Sequence, residues 1–439
     1  MTAEIAIMNR SAIALAGDSA VTVDTVEGPK IYNTANKLFR LSISQPIGIM
    51  LYGQGSFLAV PWETIVKEYR QSLGNKSFDT LEEYSDDFLH FITSSQLLFP
   101  DKVREDFLLG PILLLFNMIN GDIYEAVENE LKVSKKISEN AISKIASEVI
   151  SKSIVRVGKK KLLPDFTQKD IKQLNSNYSE KIDELIEYVF EKVPIFKKDI
   201  NKLKELPGNY FCREIFLDNL SGIVFAGYGR KDIFPKIKSI ELESLIDGRL
   251  KYKKKHSTAI THDNGALVIA FAQGEMVHSF MEGIDPLLNE ISNQYVKGIL
   301  DGYPKILADN LKGVSANIKK RVLKALNDAS NEIFNSYLSD LKDFRIEHFI
   351  NPVAQAVAVL PKNELASMAE SLVTLTVFKR KVSMRHETVG GPVDVALISR
   401  GDGFVWIKRK HYFKEELNPG YVPIHYLAEV KGGKKEQKD

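Results

Sequence analysis

Strand-like segments recur at three widely separated places in this chain, and they constrain its fold more than any other feature. Ala3–Met8, Ala12–Ala16, Lys37–Leu41 and Ile47–Tyr52 are short, rich in Ile, Leu and small residues, and punctuated by turns. The texture returns at Ser221–Tyr228, Ile237–Glu243 and Ala266–Ala272. It appears a last time at Val393–Ser399 and Phe404–Arg409, joined by a Gly401-Asp402-Gly403 turn. Helical patterns fill the intervals. Ser56–Gln71 reads as one helix, and a second begins near Asp79-Thr80 with Glu82 and Glu83 in its first turn, which suits a helix N-terminus. Residues 100–210 are rich in Lys, Glu, Ile and Leu, and Ile137, Ile142, Ile145 and Val149 recur at helical spacing. Enough aliphatic residues are present to bury a face, so this stretch is expected to be a helical insertion and not a disordered segment. A helix is expected from Glu275, a second helical block over 286–350, and a last helix over Lys362–Ser383 that leads to Val389-Gly390-Gly391-Pro392.

Composition excludes several function classes. Lys+Arg minus Asp+Glu is 59 − 57 = +2, so the chain is no polybasic nucleic-acid binder. Its one cysteine, Cys212, rules out a disulfide framework and Cys-rich metal sites, and a reducing, cytoplasmic compartment is expected. The most apolar stretch, Phe107–Ile119, is interrupted by Gly110-Pro111 and reads as too short to span a bilayer. The opening Met-Thr-Ala-Glu-Ile-Ala-Ile has no basic region and no cleavage signature, and reads as a strand beginning at residue 2. The runs Lys159–Lys161 and Lys253–Lys255 are expected to be solvated. Gly227-Tyr228-Gly229 lacks the third glycine of a dinucleotide fingerprint, no P-loop occurs, and the eight histidines contain no HExxH. His256 and His262 read as surface residues, Gln54-Gly55-Ser56 is not a nucleophile elbow, and Phe225, Tyr228 and Phe234 read as core. No cofactor and no metal is expected.

Thr2 is the residue with chemistry to offer. Removal of Met1 is favoured when residue 2 is small, and a chain beginning with threonine holds a hydroxyl and an α-amine on adjacent carbons. The amine's reference pKa of about 7.7–8.0 leaves a useful fraction unprotonated at neutral pH. One residue can then serve as both nucleophile and base. Many chains start Met-Thr, so the case rests on what lies near. If Asn9-Arg10 forms a two-residue hairpin loop, Met8 pairs with Ser11 and Thr2 faces Gly17; with one more loop residue, Thr2 faces Asp18. A four-residue turn at Ile43–Pro46 sets Lys37 opposite Tyr52, next to Gly53 at the strand end. Two hairpins thus deliver an acid, a lysine and a backbone N–H. Lys37 would lower the pKa of the threonine hydroxyl, Asp18 would hold Lys37 charged and oriented, and the Gly53 N–H would donate to an oxyanion. Each residue also has a plain structural reading, as turn residue, solvated strand lysine and helix-entry glycine; the conjunction is what points to a site.

At these residues the sequence resembles a known family, the proteasome β-subunits and bacterial HslV peptidases of the N-terminal nucleophile (Ntn) hydrolases. The resemblance is carried by Thr2-Ala3-Glu4-Ile5, by Ala14-Leu15-Ala16-Gly17-Asp18-Ser19-Ala20-Val21-Thr22, by Asn36-Lys37-Leu38-Phe39-Arg40-Leu41 and by Ile49-Met50-Leu51-Tyr52-Gly53-Gln54-Gly55. It implies an α+β fold, a four-layer αββα sandwich of two packed antiparallel sheets. It places the nucleophile, acid, lysine and oxyanion glycine on Thr2, Asp18, Lys37 and Gly53. Thr22 falls where the family holds an extended peptide by strand pairing, and Ala20, Leu51, Gly53 and Gln273 join it on the substrate side. The resemblance covers about half the chain. It divides the sequence into core at 1–99, 216–285 and 359–412, helical insertions at 100–215 and 286–358, and an extension at 413–439 whose Lys431–Lys435 tail is expected to be disordered.

The chain departs from the family pattern in three places. Gln273 stands where many members carry a serine beside the nucleophile. The family's second Asp and Ser fall near His386 or Glu387 and Val389. The Asp18-to-Lys37 spacing is about three residues longer, in the loop Glu27-Gly28-Pro29 expected to line the cleft. The expected activity is threonine peptidase chemistry on a peptide or protein, through an acyl-enzyme ester. The rivals are an Ntn amidohydrolase acting on a small amide and a non-catalytic assembly protein with the same fold. By analogy a homo-oligomeric ring is expected, with an ATPase partner left open, and neither nucleic acid nor membrane as a partner.

Overall fold

The computed structural model describes residues 2–25, 28–217, 220–383 and 389–419. The chain opens with β1 (Ala3–Asn9), β2 (Ile13–Gly17), the arm β3 (Val21–Thr25) and β4 (Gly28–Tyr32), then β5 (Leu38–Arg40) and β6 (Ile47–Gly53). A small ribbon, β7 (Ser56–Phe57) and β8 (Val60–Pro61), precedes α1 (Trp62–Leu73) and α2 (Leu81–Ser94). The helices α3 (Asp101–Ser134), α4 (Glu139–Gly158), α5 (Gln168–Asn177), α6 (Ser179–Phe190) and α7 (Lys197–Cys212) follow. Next come β9 (Ser221–Gly227), β10 (Lys236–Ile246), β11 (Arg249–Ala259), β12 (Ala266–Ala272) and α8 (Glu275–Glu282). The long helices α9 (Pro286–Asn310) and α10 (Ala316–Arg345) pass through a π-helical turn into α11 (Asn351–Val359). Helix α12 (Lys362–Lys381), β13 (Asp394–Ser399) and β14 (Gly403–Lys408) close the fold.

The distant strand blocks share two five-stranded antiparallel sheets, ordered β12-β1-β2-β13-β14 and β11-β10-β9-β6-β5. Their facing sides interlock through Ala6, Met8, Ile13, Leu15 and Ala396 from one sheet and Met50, Val224 and Ala226 from the other. The outer face of the first sheet buries Ala3, Ile5, Ile7, Ala14 and Ala16 against Leu365, Ala369, Leu372 and Val373 of α12. The outer face of the second packs Ile49, Leu51 and Phe225 against Trp62, Ile65 and Tyr69 of α1 and Phe88 of α2. Four layers result, helix on sheet on sheet on helix. The strands of the middle layers are apolar on both faces, because each face has a neighbour to bury against.

The insertion between α2 and β9 is helical and carries its own core of Leu108, Ile112, Phe116, Ile150, Ile186 and Phe211, joined to the sandwich at Ile246. Pro111 does not break α3, contrary to the expectation that Phe107–Ile119 is an interrupted run. The helix is 34 residues long and meets the length and hydropathy of a membrane span, so the length argument against one falls. Leu108, Ile112, Leu115, Phe116, Ile119 and Ile123 are nevertheless buried on one face of it, and that packing outweighs the cost of an internal proline, about 3 kcal/mol.

Two hairpin registers differ from expectation. Met8 pairs with Ile13 and Glu4 with Gly17, so Asp18 lies opposite Ala3 and not opposite Thr2. The turn spans Asn9 to Ala12 because the Asn9 side chain accepts hydrogen bonds from Ser11 N at 2.9 Å and Ala12 N at 3.3 Å, which closes a wider loop than two residues. In the second hairpin Leu38 pairs with Met50, and Leu51 N donates to Lys37 O at 2.9 Å, placing Lys37 opposite Leu51 and not opposite Tyr52. The expected helix start at Ser56 is replaced by the β7–β8 ribbon, whose turn residues Leu58 and Ala59 have positive φ, and Pro61 caps α1. The expected disordered tail lies outside the described residues.

Candidate active site around Thr2

Strand β1 enters the sheet between β12 and β2, and its first residues are held on both sides. Gln273 N donates to Thr2 O at 3.0 Å, and Asp18 N donates to Ala3 O at 3.1 Å, one step beyond the last pair of the β1–β2 ladder. That step turns the Asp18 carboxylate back over the strand end. One oxygen accepts from Ala3 N at 3.0 Å and from Lys37 Nζ at 2.6 Å; the other accepts from Ala20 N at 3.1 Å and Gly390 N at 2.9 Å. Four donors, one of them cationic, compensate an anion that is 1 % exposed. Lys37 itself is buried and reaches Asp18 from the start of β5.

Glu4 lies on the same side of β1 as Thr2, because strand side chains alternate. The Thr2 hydroxyl donates to Glu4 Oε2 at 2.7 Å. Lys37 Nζ stands 3.5 Å from Glu4 Oε1, an oxygen with no hydrogen-bond donor among the described residues. Burial pushes the Glu4 carboxyl up to about 8, opposed by Lys37 and reinforced by Asp18. Across the sheets, the Tyr52 ring packs 5.8 Å from that of Phe271, the residue paired with Glu4. Burial raises the Tyr52 hydroxyl, with Glu241 and then Glu4 adding to the effect, and that hydroxyl donates to Glu241 Oε1 at 3.2 Å. The cluster beside Thr2 therefore holds two carboxyls and one ammonium, all buried.

The sequence-derived residues divide accordingly. Asp18 and Lys37 are bonded to each other one residue from Thr2, and Ala20 joins them through its backbone. Gln273 meets Thr2 through its backbone, while its side-chain oxygen accepts from the buried Arg380 guanidinium. Gly53 ends β6 opposite Ser221 with φ at +79°; a Cβ there would stand 2.1 Å from Leu220 O, so only glycine fits. Thr22 sits in β3, paired with Ile31, and its buried hydroxyl has no hydrogen-bond partner among the described residues. Leu51 is 6 % exposed and belongs to the core beneath α1. Val389 packs into the core under α12, while His386 and Glu387 lie outside the described residues. Glu4 was not singled out by motif, yet a signal existed: it is the one charged residue of β1, at the position that shares a face with Thr2.

No family model matches the chain, and no curated protein matches it. Among solved structures, one described as an Anbu (Gly-1) mutant from Hyphomicrobium sp. strain MC1 is 9 % identical, with both chains covered in full, at a TM-score of 0.27. A likeness at that level carries no statement about fold or chemistry.

Proposed function

We propose that this chain is an Ntn amide hydrolase, a threonine peptidase similar to proteasome β-subunits and HslV, in which Thr2 becomes the terminal residue and attacks an amide carbonyl. The observation that carries the reading is the Asp18 carboxylate, which binds Ala3 N and Lys37 Nζ at once and so ties an acid and a lysine to the residue after Thr2. Freeing the Thr2 amine would add a cation to a buried cluster that otherwise holds one cation beside two carboxyls. Lys37 then stabilises negative charge at the hydroxyl oxygen, and Asp18 fixes Lys37. In this proposal Gly53 N–H donates to the oxyanion, and the tetrahedral intermediate collapses to a Thr2 ester that water hydrolyses.

The arm formed by β3 and β4 supports an extended substrate. It is a two-stranded sheet, so β3 keeps one edge on which a peptide can pair, and Thr22 lies on that strand. Assembly into a homo-oligomer belongs to the same proposal and is measured by native mass spectrometry. The test of function is Thr2→Ala, which removes the nucleophile together with its hydrogen bond to Glu4. Hydrolysis of a peptide panel should fall to background while the variant still unfolds in one cooperative thermal transition, lowered by the lost hydrogen bond to Glu4. Unchanged turnover in that variant would refute the assignment. Hydrolysis of small acyl-amides but not peptides would move the substrate class and keep the nucleophile.

A further inference from the structure

We propose that Glu4 is the general base of this site, taking the proton of the Thr2 hydroxyl directly in place of that residue's own amine; the proposal rests on Thr2 being the nucleophile. Three observations carry it. The Thr2 hydroxyl donates to Glu4 Oε2 at 2.7 Å, within the range for direct proton transfer. The Glu4 carboxyl is buried, the Thr2 hydroxyl donates to one of its oxygens, and the other has no donor closer than Lys37 Nζ at 3.5 Å among the described residues. Lys37, the nearest cation, is committed to Asp18 at 2.6 Å and stands 3.5 Å from Glu4. A buried carboxylate with so little compensation gains a great deal by accepting a proton, and the proton aimed at it is the nucleophile's. Asp18 is the contrasting carboxylate: its two oxygens accept from four donors.

The step balances without a cofactor. The Oγ1–H bond breaks, its proton passes to Glu4 Oε2, and the Oγ1 electron pair forms the bond to the carbonyl carbon. Protonated Glu4 then returns that proton to the leaving nitrogen as the C–N bond breaks. Water then attacks the ester carbonyl and passes a proton to Glu4, which returns it to Oγ1 as the acyl C–Oγ1 bond breaks, releasing the acid and restoring Thr2. The groups facing Glu4 are Thr2 on its own strand, Lys37 before β5, Asp18 after β2 and Tyr52 on β6. Burial raises the Glu4 carboxyl to about 8 in the chain that still carries Met1, and a freed Thr2 amine beside it lowers that value, so the acylation rate should rise with pH at or below about 8.

The test uses the full chain and a β-lactone, which acylates the hydroxyl by ring opening and needs no identified substrate. Labelling rates are read by intact mass from pH 5 to 10. Glu4→Gln keeps the shape and removes the base. Its plateau rate should fall about 10²-fold or more. If the amine is the base, removing a neighbouring carboxylate shifts the rate's rise to lower pH and leaves the plateau unchanged, and that result overturns the proposal. Should Glu4→Gln fail to fold, Glu4→Asp serves: the shortened carboxylate should lower the plateau at least tenfold and keep a rise with pH, whereas an unchanged plateau overturns the proposal. Wild-type labelling at Thr2 separates the two levels of the account. With label and a normal Glu4→Gln plateau, Glu4 alone is wrong; with no label at Thr2, the nucleophile assignment fails and this inference with it.

Discussion

Among the described residues two buried lysine–carboxylate pairs differ in how fully their charges are met. At the junction of β10, β11 and the helical insertion, Lys251 has a fully buried side chain. It donates to Glu243 Oε1 at 2.8 Å and to Tyr210 O at 3.2 Å, and its ammonium lies 3.9 Å from the Tyr210 ring centroid. Glu243 in turn accepts from Leu217 N at 2.8 Å. One cation meets one carboxylate and the leftover capacity is filled by a carbonyl, a backbone N–H and an aromatic face. Burial lowers the Lys251 ammonium and Glu243 opposes that shift, so the pair holds two elements together and nothing more. Beside Thr2, Lys37 meets Asp18 in the same way, but a second buried carboxyl, Glu4, is left with a hydroxyl as its donor. In the proposed reading the complete pair is structural, and the incomplete one beside the Thr2 hydroxyl is where the chemistry takes place.

Breaking the comparison at its reactive end has the largest effect. Thr2→Ala should remove labelling by a β-lactone entirely, as read by intact mass, with no change in the fold. Lys37→Met should slow labelling about 10²- to 10³-fold, because an ammonium that stabilises developing charge is lost and two carboxyls remain unopposed. At the structural end the effect moves from rate to stability. Lys251→Met strands Glu243 and should cost about 3–5 kcal/mol in denaturant unfolding while the labelling rate per folded molecule stays within twofold.

The smallest expected effect is a pH dependence of stability. Glu4 binds its proton more tightly folded than unfolded, so the folded state carries the extra proton between the ordinary carboxylate pKa and about 8. Stability therefore falls as pH rises through that window, by a few kcal/mol at most. Glu4→Gln should flatten this slope in urea titrations at pH 5 and pH 8.5. A slope that persists in the variant would place the titration on another group.

Much of this was legible in the sequence, and the failures have physical causes. The strand blocks fell where they were expected, within a few residues, because apolar runs bounded by turns suffice when both faces of a sheet are covered. The four-layer arrangement follows from residues as distant as Ala16 and Val395 pairing across adjacent strands. Asp18 and Lys37 were found beside Thr2 although both hairpin registers were off by at least one residue. Strand ends tolerate that error, since a lysine's reach and an extra ladder step absorb it. What pattern did not reveal was the work of individual polar groups. The Asn9 side chain widened the first turn, and Leu108 with Ile112 and Phe116 carried a helix through Pro111. Glu4 stands in the resembling stretch without a role there, and strand alternation places it on the Thr2 side, 2.7 Å from the hydroxyl.

The measurement closest to the central claim is peptide-resolved mass spectrometry of the purified chain before and after reaction with the β-lactone. The account predicts an N-terminal peptide beginning at Thr2, with the added mass on that residue and absent in Thr2→Ala. A fully retained Met1, or a label found only on other residues, would contradict it.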